Sequence, residues 1–180
     1  MGELFKRRRK DRRLVLTLPA QAAVLLRQLV VELGEMFAAP PSGAVSDRLF
    51  PRAYLDPTEE EAETQWQDLV HDDLVQGRAA AVAAVAAALE GATPGRNDWV
   101  SIVIDGDDAE TQWLTLLNDA RLALGTVLGV TQDEQVTFPE GDPRAATAEV
   151  YQLLGAVQDD LIDVLLDDLP EAGTAGEPQY

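Results

Sequence analysis

The 180-residue chain carries 32 Asp and Glu against 14 Lys and Arg, a formal net charge of −18, and its length suits one domain with an apolar core that needs no covalent staples. Zero cysteines exclude disulfides, thiolate nucleophiles, iron–sulfur clusters and thiol redox switching. The single histidine, His71, leaves a Ser–His–Asp triad conceivable but excludes multi-histidine zinc or iron sites built within one chain.

Charge is distributed unevenly from the start of the chain. Residues 1–13 hold seven basic and two acidic side chains, and the remainder hold seven basic and 30 acidic, so the folded body is an anion that repels DNA. Residues 1–12 read as a basic flexible arm. Lys6, Arg7, Arg8, Arg9, Lys10, Arg12 and Arg13 can meet nucleic acid, an acidic partner or the body's own carboxylates, and a solvated tail fits the same run. Basic residues ahead of Leu14–Leu18 resemble an export leader, but Thr17, Pro19 and Gln21 break the apolar stretch. The longest apolar run, Ala79–Leu89, has eleven residues, short of the ~20 that span a bilayer. A cytoplasmic protein is expected.

Residues 13–169 read as one helical domain, mainly α: about five helices and a small two-stranded β-ribbon. Arg13–Leu18 alternates and predicts a strand. Pro19 suits a first helical turn, and Ala22, Leu26, Leu29, Leu33 and Met36 stripe an amphipathic helix over 20–37. Pro and Gly content makes 38–45 a loop. Asp56-Pro57-Thr58-Glu59 is a helix start with Asp56 as cap and Glu59 closing a capping box. That helix runs to about Val70, with a bend at His71-Asp72-Asp73 before an alanine-rich helix to Leu89. Trp99–Ile104 is the second strand, expected to pair with the first because lone strands leave backbone groups unbonded. Asp107 with Glu110 predicts another capping box, opening a helix that buries Trp113, Leu116, Leu117, Ala120, Leu124 and Leu128 and ends near Gly129. Asp142-Pro143 starts the last helix, which buries Val150, Leu153, Val157, Leu161 and Val164 and stops at Pro170. Residues 170–180 read as a disordered tail.

Two constellations stand out. Asn118, Arg121 and Gly125 share one helix face beside Trp113 and Leu117. A structural polar network explains them, with Asp56 or Asp119 as carboxylate partner for Arg121, and Gly125 suggests close approach of another backbone. Glu149, Asp159, Asp160, Asp163 and Asp167 share a face of the last helix, and no Lys or Arg follows Arg144. Asp167 and Asp168 sit at that helix's negative end, where stability does not ask for them, so this face offers itself to a basic partner or is solvated. The carboxylate pairs Asp107-Asp108, Asp159-Asp160 and Asp167-Asp168 point apart on their helices. Neither a metal nor a cofactor is expected. With no phosphate-binding loop, dinucleotide fingerprint or nucleophile elbow, the expectation is that the chain is not an enzyme.

The stretches R-L-F-P-R-A-Y-L-D-P (Arg48–Pro57) and W-L-T-L-L-N-D-A-R-L-A-L-G-T-V-L-G-V (Trp113–Val130) resemble the two signature stretches of the AosR-type actinobacterial oxidative-stress transcriptional regulators. The resemblance extends over most of residues 13–166, departing at Val127, in place of an arginine, and at Val70, in place of a threonine cap. It marks Arg48, Phe50, Pro51, Tyr54, Asp56, Trp113, Asn118, Asp119, Arg121 and Gly125 as signature or structural-network positions. It implies a transcriptional regulator, and the charge balance then favours contacts with a sigma factor or RNA polymerase over DNA, which only the basic arm can touch. An adaptor or scaffold for clients outside transcription is the alternative, and a homodimer is compatible with either.

Overall fold

The two alternating stretches do pair, and they form the centre of a larger sheet. In the computed structural model, which describes residues 4–39, 42–131, 137–139 and 141–168, four strands occur: β1 (Phe5–Arg7), β2 (Leu14–Pro19), β3 (Thr93–Pro94) and β4 (Trp99–Ile104). They lie in the order β1-β2-β4-β3, all neighbours antiparallel. The β2–β4 register runs from Leu14 opposite Ile104 to Pro19 opposite Trp99. It turns Leu14, Leu16, Leu18, Ile102 and Ile104 to one face, where each is at most 1% exposed, as a period of two requires. Asn97 and Asp98 take the left-handed conformation at the β3–β4 turn, φ 54° and 59°, which Asn and Asp tolerate best after glycine.

Five helices complete the domain, α1 (Ala20–Ala38), α2 (Gly43–Leu49), α3 (Glu60–Glu90), α4 (Asp107–Leu128) and α5 (Ala145–Asp167), and α1, α3 and α5 pack against strands of the sheet. A 3-10 turn at Pro57–Glu59 precedes α3. The described residues form one mainly α domain with α4 at its centre, packed against α2, α3 and α5. Trp113, Leu116, Leu117 and Ala120 of α4 are almost wholly buried. Gly129, in the left-handed conformation at φ 71°, ends α4, a position where glycine escapes the Cβ clash.

The five helices are not the five expected. The loop expected over 38–45 gives way at Gly43 to a helix that runs to Leu49, because Ser46 and Leu49, three apart, both bury against the body. The bend at His71-Asp72-Asp73 is absent. α3 runs unbroken for 31 residues; Asp72 and Asp73 face water, and His71 packs on Phe50 with ring centroids 5.3 Å apart. At α4 the cap is Gly106, whose carbonyl accepts from Glu110, and Asp107 is already helical. α5 begins two residues after Pro143, with Asp142 accepting from the Arg144 backbone at 2.8 Å. Asp56 caps its turn as expected, accepting from the Thr58 backbone N–H and hydroxyl at 2.9 and 2.8 Å. The tail expected at 170–180 lies outside the described residues.

The largest correction concerns the basic arm. Residues 4–7 are part of the domain: Leu4 and Phe5 are 7% and 1% exposed, and β1 adds to the sheet with Phe5 opposite Leu16. Asp160 of α5 accepts from the backbone N–H groups of Leu4 and Phe5 at 2.9 and 2.6 Å. Two apolar residues and one distant carboxylate outweigh the solvation of the cations that follow. Residues 8–13 close the β1–β2 hairpin, with Arg12 at φ 56°.

Candidate functional site

The chain between α2 and α3 is laid down by carboxylates. Glu63, 5% exposed, accepts from the backbone N–H groups of Ala53 and Tyr54 at 3.0 and 2.8 Å and from Gln67 at 2.7 Å. The Gln67 bond first, and then those N–H groups, hold its carboxyl below the ordinary value. Arg52 reaches Glu60 at 2.5 Å. Of the first signature stretch, Phe50 is a packing hub: Phe37 meets its ring edge-on at 6.2 Å, His71 packs beside it, and the Arg78 guanidinium lies 4.6 Å over it. Pro51 and Tyr54 are exposed. Ser46, His71 and Asp72 border a cavity of about 130 Å³, yet no hydrogen bond joins them, so no triad is assembled.

Beneath Phe50 lies a buried ion pair. Arg78 Nε sits 3.0 Å from Asp119 Oδ2, the two side chains being 15% and 4% exposed, and Arg78 Nη2 donates to the Leu49 carbonyl at 2.9 Å. Burial raises the Asp119 carboxyl above its ordinary value, and Arg78 pulls against that shift. Asp119 therefore serves Arg78, not Arg121, and ties α2, α3 and α4 together. Asp56, the other carboxylate expected to pair with Arg121, is spent on its own turn.

Arg121 is held differently. Its Nη1 donates to Gln158 Oε1 at 2.7 Å, its guanidinium lies 5.4 Å from the centre of the Tyr151 ring, and it passes over Gly155, where a Cβ would meet it at 3.8 Å. Gly125 faces the Tyr151 ring, which a Cβ would meet at 3.4 Å; the close neighbour is this side chain, not another backbone. Arg48, Asn118, Arg121, Leu122, Gly125, Thr126, Val130, Thr131 and Tyr151 line an open cleft of about 370 Å³ between α2, α4 and α5. The two signature stretches thus meet in one place, with Arg48 from the first and Asn118, Arg121 and Gly125 from the second.

Residues 2–165 match the family described as a domain of unknown function, DUF2017. The chain belongs to the DUF2017 family. The DUF2017 match takes in the hairpin, the cleft and all but the last two residues of α5. No curated protein and no solved structure matches the chain.

The remaining candidate residues of this DUF2017 chain divide sharply. Arg7 bonds Glu110 with both terminal nitrogens, at 2.7 and 3.0 Å, and its Nε pairs with Asp168. The Glu110 bond is the main reason its guanidinium binds its proton more tightly than usual. Arg12 also reaches Asp168, at 2.9 Å, and Arg13 reaches Asp105 at 3.0 Å. Lys6, Arg8, Arg9 and Lys10 stay exposed, four cations on and beside a hairpin tip. On α5, Glu149, Asp159, Asp163 and Asp167 are exposed. Asp160 is not part of that surface, because it anchors β1, and Asp168 is used by the fold as a partner for two arginines. Among the described residues, no cluster of three or more His, Asp or Glu is placed to hold a metal, and no helix is long and apolar enough to cross a membrane.

The sequence pattern did not single out Glu63, Arg78, Tyr151 or Gln158, and it gave Glu110 a capping role in place of its pairing with Arg7. Only Arg78 carried a signal, as the one cation beside the apolar run Ala79–Leu89. The others needed the packing of helices far apart in the chain.

Proposed function

We propose that this DUF2017 protein is a non-enzymatic regulator of transcription that acts through protein contacts. The observation that carries the reading is the outward face of α5. Glu149, Asp159, Asp163 and Asp167 stand exposed there with Leu166, 57% exposed, on the same arc of the helix. An apolar side chain at the edge of a stripe of carboxylates with no cation partner among the described residues suits a basic protein surface with an apolar notch, the character of a nucleic-acid-binding face on a sigma factor or RNA polymerase.

Duplex DNA is the weaker ligand for this chain. Three of its seven N-terminal cations, Arg7, Arg12 and Arg13, are already paired with carboxylates. The tip that remains, Lys6, Arg8, Arg9 and Lys10, can neutralise only a few phosphates, so DNA would be an auxiliary contact with a shallow salt dependence. The resemblance of Arg48–Pro57 and Trp113–Val130 to the oxidative-stress regulators supports transcription as the setting. With no cysteine in the chain, any response to oxidants would reach it through its partner or a ligand.

Mild crosslinking in cells followed by purification tests the proposal. Recovery of a sigma factor or polymerase subunit with the native chain, and its loss when Glu149, Asp159, Asp163 and Asp167 are all changed to lysine, supports it. Recovery of no transcription protein counts against it, and clients outside transcription would favour an adaptor.

A further inference from the structure

We propose that the cleft between α2, α4 and α5 binds a small organic dianion through Arg48 and Arg121, an activity separate from the docking face on α5. The other fold-bearing guanidinium groups of this chain share one pattern. Where an arginine serves the fold across elements, a negative partner accompanies it: Arg78 has Asp119, and Arg7 has Glu110 and Asp168. Arg27 donates to the Leu89 carbonyl at 2.8 Å, at the negative end of α3. Arg121 departs from that pattern. Its position is set entirely by uncharged groups: the Gln158 amide, the Tyr151 ring and the space above Gly155.

Those contacts fix the guanidinium without neutralising it. Among the described residues its Nε is buried without a hydrogen-bond acceptor, as are those of Arg7 and Arg78, but theirs each face a carboxylate and that of Arg121 does not; its Nη2 bonds to no described residue. Arg48, across the cleft at the end of α2, is exposed and pairs with no described carboxylate. Two guanidiniums with no carboxylate partner among the described residues thus line one cleft in a chain of net charge −18, where carboxylates outnumber cations and pairing would be easy. Such a preset, unpaired fork favours an oxyanion, since charge-assisted bonds form there with no further ordering of the protein.

The rest of the lining sets the class of ligand. Asn118 and Thr131 offer polar contacts, while Leu122, Val130 and the Tyr151 ring give an apolar wall. The volume, about 370 Å³, lies at the small end of metabolite pockets. Two cations and an apolar wall fit a dianion on a small carbon body, of the phosphate monoester or dicarboxylate type.

Calorimetric titration of the full chain at low ionic strength with glycerol phosphate, succinate and acetate tests the assignment. At least one of the two dianions binds saturably, and the monoanion acetate binds about 10-fold more weakly or worse, one charge-assisted contact being lost. Which dianion binds more tightly distinguishes the phosphate source from the carboxylate source. Arg48→Gln, at an exposed residue without structural partners, weakens binding about 10-fold or more. Arg121→Lys keeps the charge but not the fork and weakens it as well. Absence of saturable binding of both dianions overturns the proposal, as does equal affinity in Arg48→Gln. Binding lost instead when Arg8, Arg9 and Lys10 are changed to glutamine overturns it too, since the anion would then sit on the hairpin tip. None of these outcomes depends on which protein docks on α5.

Discussion

Replacing Arg78 by methionine would keep an unbranched apolar stem in place and remove the cation facing Asp119. The carboxylate would then stand 4% exposed with no partner, and the Leu49 carbonyl would lose its 2.9 Å donor. Breaking a buried pair costs about 3–5 kcal/mol. Water reaches the 15% exposed Arg78 side chain, which places the expected loss near the lower end, about 3 kcal/mol. For a domain of this size that lowers the melting temperature by roughly 6–12 °C. The cost also depends on pH with a definite sign. Asp119 has a folded-state pKa raised above its ordinary 3.8, chiefly by burial, so its own contribution favours folding in acid and is lost as pH rises through the folded value. Without Arg78 the carboxyl rises further, and its penalty is full at neutral pH and fades as the group protonates. Urea unfolding followed by circular dichroism at pH 7 and pH 5 measures both effects. A difference between native and Arg78→Met chains below about 1 kcal/mol, or one unchanged between the two pH values, refutes the reasoning. Combining Arg78→Met with Asp119→Leu recovers most of the loss, because no unpaired charge remains.

Asp160→Ala destabilises the chain by about 1.5–3 kcal/mol, the worth of hydrogen bonds to a charged acceptor, and speeds proteolytic cleavage within residues 1–13. Asp159→Ala and Asp163→Ala, on exposed positions of the same helix, stay within about 0.5 kcal/mol of the native chain in the same unfolding assay. Acid unfolding gives the opposite sign to Asp119: Glu63 is held below its ordinary 4.5 and Asp142 at about 2 by Arg144. Stability from these two is present above their ordinary values and lost as pH falls through their folded ones, so Glu63→Gln and Asp142→Asn each flatten part of that decline, the Asp142 share extending down to about 2. Gly125→Ala raises stability by up to about 1 kcal/mol, since the helix gains propensity and the new methyl meets the Tyr151 ring at 3.4 Å and the Val130 Cβ at 3.9 Å, both ordinary contacts. A loss of stability there would mean that α4 and α5 pack too tightly to move aside.

What the sequence made legible follows the range of the forces involved. The β2 and β4 strands, the apolar stripes of α1 and α4 and the Gly129 stop are written in local alternation and periodicity, and all are present, with Met36 and Leu124 only half-buried at the stripe margins. The helix at Gly43–Leu49 escaped notice because seven residues give periodicity too little length to register. β1 was hidden beneath charge: five cations in a row at residues 6–10 dominate any window that includes Leu4 and Phe5, and only Asp160 reveals that the segment docks. The cleft was half legible. The face shared by Asn118, Arg121 and Gly125 is a matter of helical spacing, whereas Arg48, Tyr151 and Gln158 join it only through the packing of α2 and α5 on α4. Partner choice was the least legible of all, as the exchange of Arg121's expected carboxylate for Gln158 illustrates.

The central claim, that an anionic helical domain recognises protein and not promoter DNA, is tested most directly by anisotropy titrations of the labelled full chain. Purified RNA polymerase holoenzyme and promoter fragments are the two titrants. Saturable binding to the holoenzyme is expected, weakened at least about 10-fold when the four exposed α5 carboxylates become lysine, in a variant whose circular dichroism shows it folded. Tight, sequence-selective binding to promoter fragments that persists after Arg8, Arg9 and Lys10 are changed to glutamine, with no binding to the holoenzyme, would contradict it.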